Sequence, residues 1–243
     1  KIVLARELRL QLDRQVEISP ILHHLLETQP TSYVFAIEMD GDCFVGATPE
    51  RLVKIEGKQV LSTCLAGTAP RGQTQEEDEH IKEALLQDRK NLEEHHQVVK
   101  MITNAMHRYC DEVQIATNPI VYQLKNLQHL YTPVSGLLKS GYSIFDIAKE
   151  LHPTPALGGT PTDYALKFIR EHELLDRGWY GAPIGWVDGN QNGELAVAIR
   201  SALIQYDQAS LFAGCGIMGD SDIQTEYEET NIKFQPMLTV FGG

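Results

Sequence analysis

From residue 32 to residue 65 the chain alternates short apolar runs with residues that turn it sharply. Segments 32–38 and 43–47 flank Asp40-Gly41-Asp42, and segments 52–55 and 59–65 flank Gly57-Lys58. Runs this short do not make stable helices, and glycine supplies the positive φ that a tight hairpin turn needs. The stretch therefore reads as an antiparallel meander. Thr48-Pro49-Glu50-Arg51 interrupts it, since proline removes a ladder donor and re-aims the side chain that follows. A second hairpin is expected around Gly189-Asn190-Gln191-Asn192-Gly193, between strands at 179–187 and 194–205. Segments 1–10 and 210–213 also read as strands, as do parts of 113–130.

Helical spacing is expected at 20–29, with Ser19 as N-cap and Pro20 in the first turn, and at 75–87, 90–109, 143–151, 162–173 and 221–233. His152-Pro153-Thr154-Pro155 opens a stretch, ending at Pro161, that cannot be helical. The class is α+β, with antiparallel sheets covered by helices. The chain of 243 residues, 42% hydrophobic, suffices for one domain over 1–243. Because a strand begins at the first residue, the chain reads as the C-terminal portion of a longer one whose N-terminal part is absent. A net charge of −12 without a basic run argues against nucleic acid as a partner. No apolar run has membrane-spanning length, so no membrane partner is expected, and the cytoplasm is the expected location. Cys43, Cys64, Cys110 and Cys215 have no paired spacing and read as buried thiols. No long exposed apolar stripe is visible, so a monomer is expected.

Two helices carry acids where core residues belong. In the last helix Glu226, Glu229 and Lys233 share a stripe with Ile223, Tyr227, Phe234 and Met237. In segment 90–109 Glu94 shares its face with Val98, Met101, Ile102 and Ala105. Buried carboxylates need partners, and several together need a cation. A surface Glu229–Lys233 pair, worth roughly 0.2–0.5 kcal/mol, is the competing reading. The loop Ala66-Gly67-Thr68-Ala69-Pro70-Arg71-Gly72 is either a plain turn or a set of backbone N–H groups offered to an anion.

Several stretches, in order and spanning the chain, resemble the chorismate-utilising enzymes. They include Lys1-Ile2-Val3-Leu4-Ala5-Arg6, Gly46-Ala47-Thr48-Pro49-Glu50-Arg51, Leu65-Ala66-Gly67-Thr68, Glu94-His95 and Gln128-His129-Leu130. Further along come His152-Pro153-Thr154-Pro155-Ala156, Trp179-Tyr180-Gly181, Ala198-Ile199-Arg200, Ala213-Gly214-Cys215-Gly216 and Glu226-Tyr227-Glu228-Glu229. The resemblance implies the fold of anthranilate synthase component I. Lysine at position 1, with alanine at 66, resembles the water-adding branch, isochorismate synthase, most of all its menaquinone-pathway form. A siderophore pathway, salicylate synthase and a chorismate-binding fragment without turnover are the alternatives.

The resemblance also assigns roles. Lys1 would be the general base and Glu50 the general acid in converting chorismate to isochorismate. Glu94, Glu226 and Glu229 would hold Mg²⁺, with Glu226 acting through water. Arg200, Tyr180 and the backbone N–H of Gly216 would hold the enolpyruvyl carboxylate. Lys233 and the Gly67-Thr68 loop would meet the ring carboxylate. His129, Ala156 and Leu157 would line the ring beside the leaving hydroxyl. Asn91 stands where some members carry an acid. Outside the resemblance, Glu50 reads as a partner of Arg51 and His129 as a core histidine.

Overall fold

The structure, a computed structural model, describes residues 1–242. The strands are β1 (Ile2–Gln11), β2 (Tyr33–Met39), β3 (Asp42–Thr48), β4 (Arg51–Glu56), β5 (Gln59–Pro70) and β6 (Cys110–Ile115). They continue with β7 (Ile120–Gln123), β8 (Leu127–Leu138), β9 (Pro183–Val187), β10 (Gly193–Val197), β11 (Ser201–Gln205) and β12 (Gln208–Ile217). The helices are α1 (Ile18–Thr28), α2 (Gln75–Leu85), α3 (Arg89–Tyr109), α4 (Ile144–Leu151), α5 (Thr162–His172) and α6 (Ile223–Leu238). A 3₁₀ turn follows at Thr239–Phe241.

All ladders are antiparallel, and they form two sheets. One has five strands in the order β1-β12-β11-β3-β2, and the other has seven, β6-β8-β5-β4-β10-β9 with β7 also on β8. Helices α1 and α6 cover the first sheet, burying Leu25, Val45, Ala202, Leu211 and Met237 together. Helices α3 and α4 cover the second, burying Val98, Ile102, Met106 and Ile147 against Leu52, Val53, Val60 and Val134. Ala5 and Phe212 of the first sheet join this second core.

The expected meander is cut in two. The β2–β3 hairpin turns at Asp40-Gly41, with φ of 55° and 88°, as the sequence predicts. After Thr48 the chain leaves the five-stranded sheet, and β4 starts in the seven-stranded one. Segment 194–205, read as one strand, divides in the same way. Strand β10 belongs to the seven-stranded sheet, β11 to the other, and Arg200 sits at the break with φ 53°. A positive φ in a residue with a β-carbon costs about 1–2 kcal/mol, so surrounding structure must hold it.

The two crossings lie side by side. The Val197 N–H donates to the Glu50 carbonyl at 2.9 Å, and the Ala47 N–H donates to the Arg200 carbonyl at 3.1 Å. This seam requires glycine at 46. A β-carbon there would stand 2.7 Å from Cζ of Phe35 and 2.9 Å from both the Arg200 carbonyl and Cβ of Ser201. Two of those three neighbours are backbone or backbone-attached and cannot swing aside. Gly46→Ala is therefore expected to cost about 2 kcal/mol. A urea midpoint unchanged from the parent would show that the seam can relax.

Other boundaries move as well. Of residues 66–72, read as a loop, 66–70 continue β5, and Gly67 (φ 78°) makes a bulge where the register with β8 shifts. Segment 113–130 resolves into β6, β7 and the start of β8. Tyr180 lies in a turn before β9, and Gly214-Cys215-Gly216 lies within β12. Helix α1 takes Glu17 as N-cap, so Ser19 is already inside its first turn. The last helix runs on to Leu238, through Pro236. Ile223 and Tyr227, expected on its inner face, are 88% and 49% exposed. All four cysteines are buried and unpaired. No helix among the described residues is long and apolar enough to cross a membrane.

Candidate active site

Behind the seam lies a cavity of about 50 Å³. Glu50, Gly67, Thr68, Glu94, His129, Ala156, Leu157, Tyr180, Arg200, Gly216 and Lys233 line it, with Val3, Leu65 and Ile199 supplying apolar wall. Residues expected from distant parts of the sequence thus converge on one place. A larger groove of about 880 Å³ on the five-stranded sheet touches none of the predicted site residues. Lys1, Glu226 and Glu229 are not among the residues that line it. A β-carbon on Gly216 would lie 2.5 Å from Cε of Lys1 and 2.9 Å from Oε1 of Glu94, so glycine makes room for both side chains.

The backbone of Lys1 is fixed from outside. The Thr160 N–H donates to its carbonyl at 2.9 Å. The free edge of β1 is held by side chains instead of a strand. The Ala5 N–H donates to Glu173 Oε2 at 2.8 Å, and Arg177 Nη2 donates to the Val3 carbonyl at 2.9 Å. Arg177 also donates from Nη1 to the Leu157 carbonyl at 3.2 Å, tying the cavity wall to the strand that begins beside Lys1.

Burial shapes the charges. Glu50 is buried, and desolvation pushes its carboxyl up to about 7 against the opposing pull of Arg200, Lys1 and Lys233. Arg200 is buried as well, and desolvation draws it below its ordinary value, with Tyr180, Glu229 and Glu50 acting against that trend. It forms no ion pair among the described residues. The Tyr180 phenol, stacked on Phe212 at 5.5 Å, is pushed up to about 12 by burial. His129 falls well below its ordinary value through burial, then through Arg200 and Lys233. Its Nδ1 lies 3.3 Å from the Gly67 carbonyl, which can only accept, so that nitrogen carries the proton. Nε2 is left as a buried acceptor without a partner.

Each predicted metal ligand is held by a lysine. Lys1 Nζ donates to Glu94 Oε1 at 2.8 Å, with the lysine side chain 1% exposed. Lys233 pairs with Glu229 and donates to the Gly214 carbonyl at 3.0 Å. Lys90 pairs with Glu226, which also accepts from Ser221 Oγ at 2.6 Å. Burial pushes the Cys215 thiol up to about 12, with the charges of Glu229, Glu226 and Glu94 adding to the rise against Lys233. Among the described residues the three acids do not converge as a three-ligand metal cluster. The donor chemistry, hard oxygens on two helices, nonetheless suits Mg²⁺. To hold one ion together, the three acids would have to leave their lysine partners and draw closer.

Asn91, His95 and Lys90 hold positions that the sequence pattern did not assign to them. Asn91 Oδ1 accepts from the Thr68 N–H at 2.9 Å, so that N–H, expected to meet an anion, is already bonded. The Thr68 hydroxyl meets His129 Nδ1 at 3.1 Å. His95 braces the helix bearing Glu94, reaching the Ala66 carbonyl at 3.1 Å and Thr132 Oγ1 at 2.8 Å. Lys90 stands four residues before Glu94, and that spacing alone places it on the same helical face.

Fold and site together define a two-sheet α+β protein with a buried, cation-rich cavity at the seam between its sheets. The chain belongs to the chorismate-binding enzyme family, whose model matches residues 1–242. It is 55% identical over 243 residues to isochorismate synthase MenF of Bacillus subtilis, covering all of this chain and 52% of that protein. The solved structure of MenF, the menaquinone-specific isochorismate synthase of Escherichia coli, superposes with a TM-score of 0.90 at 30% identity, over 98% of this chain and 55% of that one. Anthranilate synthase component I of Streptococcus pneumoniae superposes with a TM-score of 0.85 at 28% identity, over 97% and 52%. The α+β class and its likeness to anthranilate synthase component I hold. The chain spans about half the length of these proteins.

Proposed function

We propose that this chain carries the site at which chorismate is converted to isochorismate, and that it serves menaquinone synthesis, as its similarity to the MenF proteins suggests. Water adds at C2 of the ring while the C4 hydroxyl leaves. The Lys1 amine takes a proton from the attacking water, and the Glu50 carboxyl gives one to the departing hydroxyl, which leaves as water. The protein then exchanges one proton with solvent to reset both groups. Lys1 can act only as the neutral amine, after it has parted from Glu94 and released a proton to solvent. The observation that carries this reading is Glu50, a buried carboxyl on the cavity that Arg200 and Lys233 also line, pushed up to about 7 by burial.

Arg200 offers a planar fork to the enolpyruvyl carboxylate, with Tyr180 and the N–H of Gly216 beside it. Lys233 and the Gly67-Thr68 bulge face the ring carboxylate, while His129 Nε2, Ala156 and Leu157 border the ring. Glu94 and Glu229, with Glu226 through water, would hold Mg²⁺, which supplies charge neutralisation and a fixed seat for the ring carboxylate. Ligand sites usually exceed about 300 Å³, so the substrate must displace side chains on entry.

The deciding experiment incubates chorismate with the full-length protein and Mg²⁺, without ammonia, and separates the products. Isochorismate alone is the expected result. Salicylate with pyruvate would assign the chain to the salicylate branch, and intact chorismate that still binds would leave a binding module. Arg200→Ala is expected to weaken chorismate binding about 100-fold, because it removes a charged bidentate contact in a dry site. Equal affinity in a titration would place the enolpyruvyl carboxylate elsewhere.

A further inference from the structure

Glu226, which does not line the cavity, carries a resident cation that neither the water-activation step nor the substrate contacts use. Lys90 lies in the first turn of α3 and reaches across to Glu226 in the first turn of α6. Glu226 is only 4% exposed, so its charge is not left to solvent. The Lys90 ammonium also feels the carboxylates of Glu94 and Glu229. It is thus the one ammonium among the three lysines that is turned to this cluster without lining the cavity or standing behind Gly216.

We propose that Lys90 is a tethered counter-ion for the carboxylate cluster, and that it sets how tightly the free protein holds a divalent cation. The inference rests on the reading of Glu94, Glu226 and Glu229 as a Mg²⁺ site. A fixed positive charge a few ångströms from a dication opposes it directly, and lysine satisfies Glu226 at no cost in ions from solution. The cation then binds well only when another anion, such as the ring carboxylate, joins the cluster. Lys90 therefore couples metal occupancy to substrate occupancy, and the free protein is kept from trapping a metal idly.

The test is calorimetric titration of Mg²⁺ into the full-length parent, Lys90→Met and Lys90→Arg, all without chorismate. Methionine keeps the length of the side chain and removes the charge. Lys90→Met is expected to bind Mg²⁺ roughly ten-fold more tightly than the parent, and Lys90→Arg within about two-fold of it. Repeating the titration with chorismate present should shrink the gap between parent and Lys90→Met. Equal affinity in the parent and Lys90→Met overturns the proposal while leaving the metal reading in place. Weaker binding in Lys90→Met also overturns it, and makes Lys90 a brace between α3 and α6. Mg²⁺ binding to none of the proteins would remove the metal reading, and the proposal with it. Circular dichroism melts identify a misfolded variant. Lys90→Gln, judged by the same criterion, then takes the place of methionine.

Discussion

Glu50→Gln is expected to lower turnover by about 10²- to 10⁴-fold, the range of a lost general acid, and at the same time to make the fold more stable above pH 7. The second effect follows from the direction of the shift. The folded carboxyl titrates at about 7, above its ordinary 4.5, so between those pH values the native state keeps a proton that the unfolded chain has released. Its contribution to stability is complete below pH 4.5 and disappears as pH rises through 7. The gap between those two values corresponds to about 3 kcal/mol. Glutamine has nearly the same shape and is neutral at every pH, so it carries no such slope. Urea unfolding at pH 5 and pH 8 should show the two proteins similar at the lower pH and the variant ahead by about 3 kcal/mol at the higher one. Comparing parent with variant cancels the other titrating groups. Parallel stability profiles would mean that Glu50 ionises like a solvated acid, and its role as proton donor would go with that. In the parent, turnover should decline above pH 7 as the donor loses its proton.

Lys1→Ala should lower kcat by about 10²- to 10⁴-fold while chorismate affinity stays within a few-fold. Lys1 is packed against Gly216 and bonded to Glu94, and it does not line the cavity in which Arg200 and Lys233 are placed to meet the substrate. Its removal takes away a proton acceptor without removing either anion contact. Gly216→Ala gives a companion result, since a β-carbon would stand 2.5 Å from Cε of Lys1. That variant keeps every ionisable group, yet should lose turnover by displacing the amine. A 1 Å misplacement of a reacting group is enough to cost about 10²-fold. Single-turnover kinetics beside a binding titration separates the two quantities. Full turnover in Lys1→Ala would end the case for lysine as the base, and a large loss of affinity would make it a substrate anchor instead.

Local order was legible in the sequence, and long-range order was not. The Asp40-Gly41 and Gly57-Lys58 turns declared their hairpins because glycine and aspartate tolerate the backbone that such turns need. Glu94 on an apolar stripe correctly marked one face of α3. The two changes of sheet left no comparable trace. Pro49 showed that something interrupts the strand, and nothing near Arg200 did, since a break there is stabilised by a hydrogen bond from Ala47, far away in sequence. The Gly67 bulge looked like a loop because its glycine and proline are the residues of turns, and only pairing with β8 shows it to be strand. For the site, the residue types were readable through the resemblance. Of their present partners, spacing gave only the Glu229–Lys233 pair, because a lysine 136 positions away, as Lys90 is from Glu226, cannot be paired by local spacing. Ile223 and Tyr227 followed helical periodicity and were nonetheless left outside: Ile223 is 88% exposed, and the Tyr227 ring carries the Arg6 guanidinium 3.9 Å from its centroid.

The proposed acid and the arginine fork are also the two hinge points at which the chain passes between sheets. The relative position of Glu50 and Arg200 is therefore set by how two large layers sit against each other, and any slip between the layers is converted directly into misalignment of the reacting groups. Activity then behaves as a strain gauge for the whole molecule. Under mild denaturant, or with distant core substitutions that leave both sheets intact, catalysis should fail well before the helical signal changes, since the seam is the place where small global displacements accumulate.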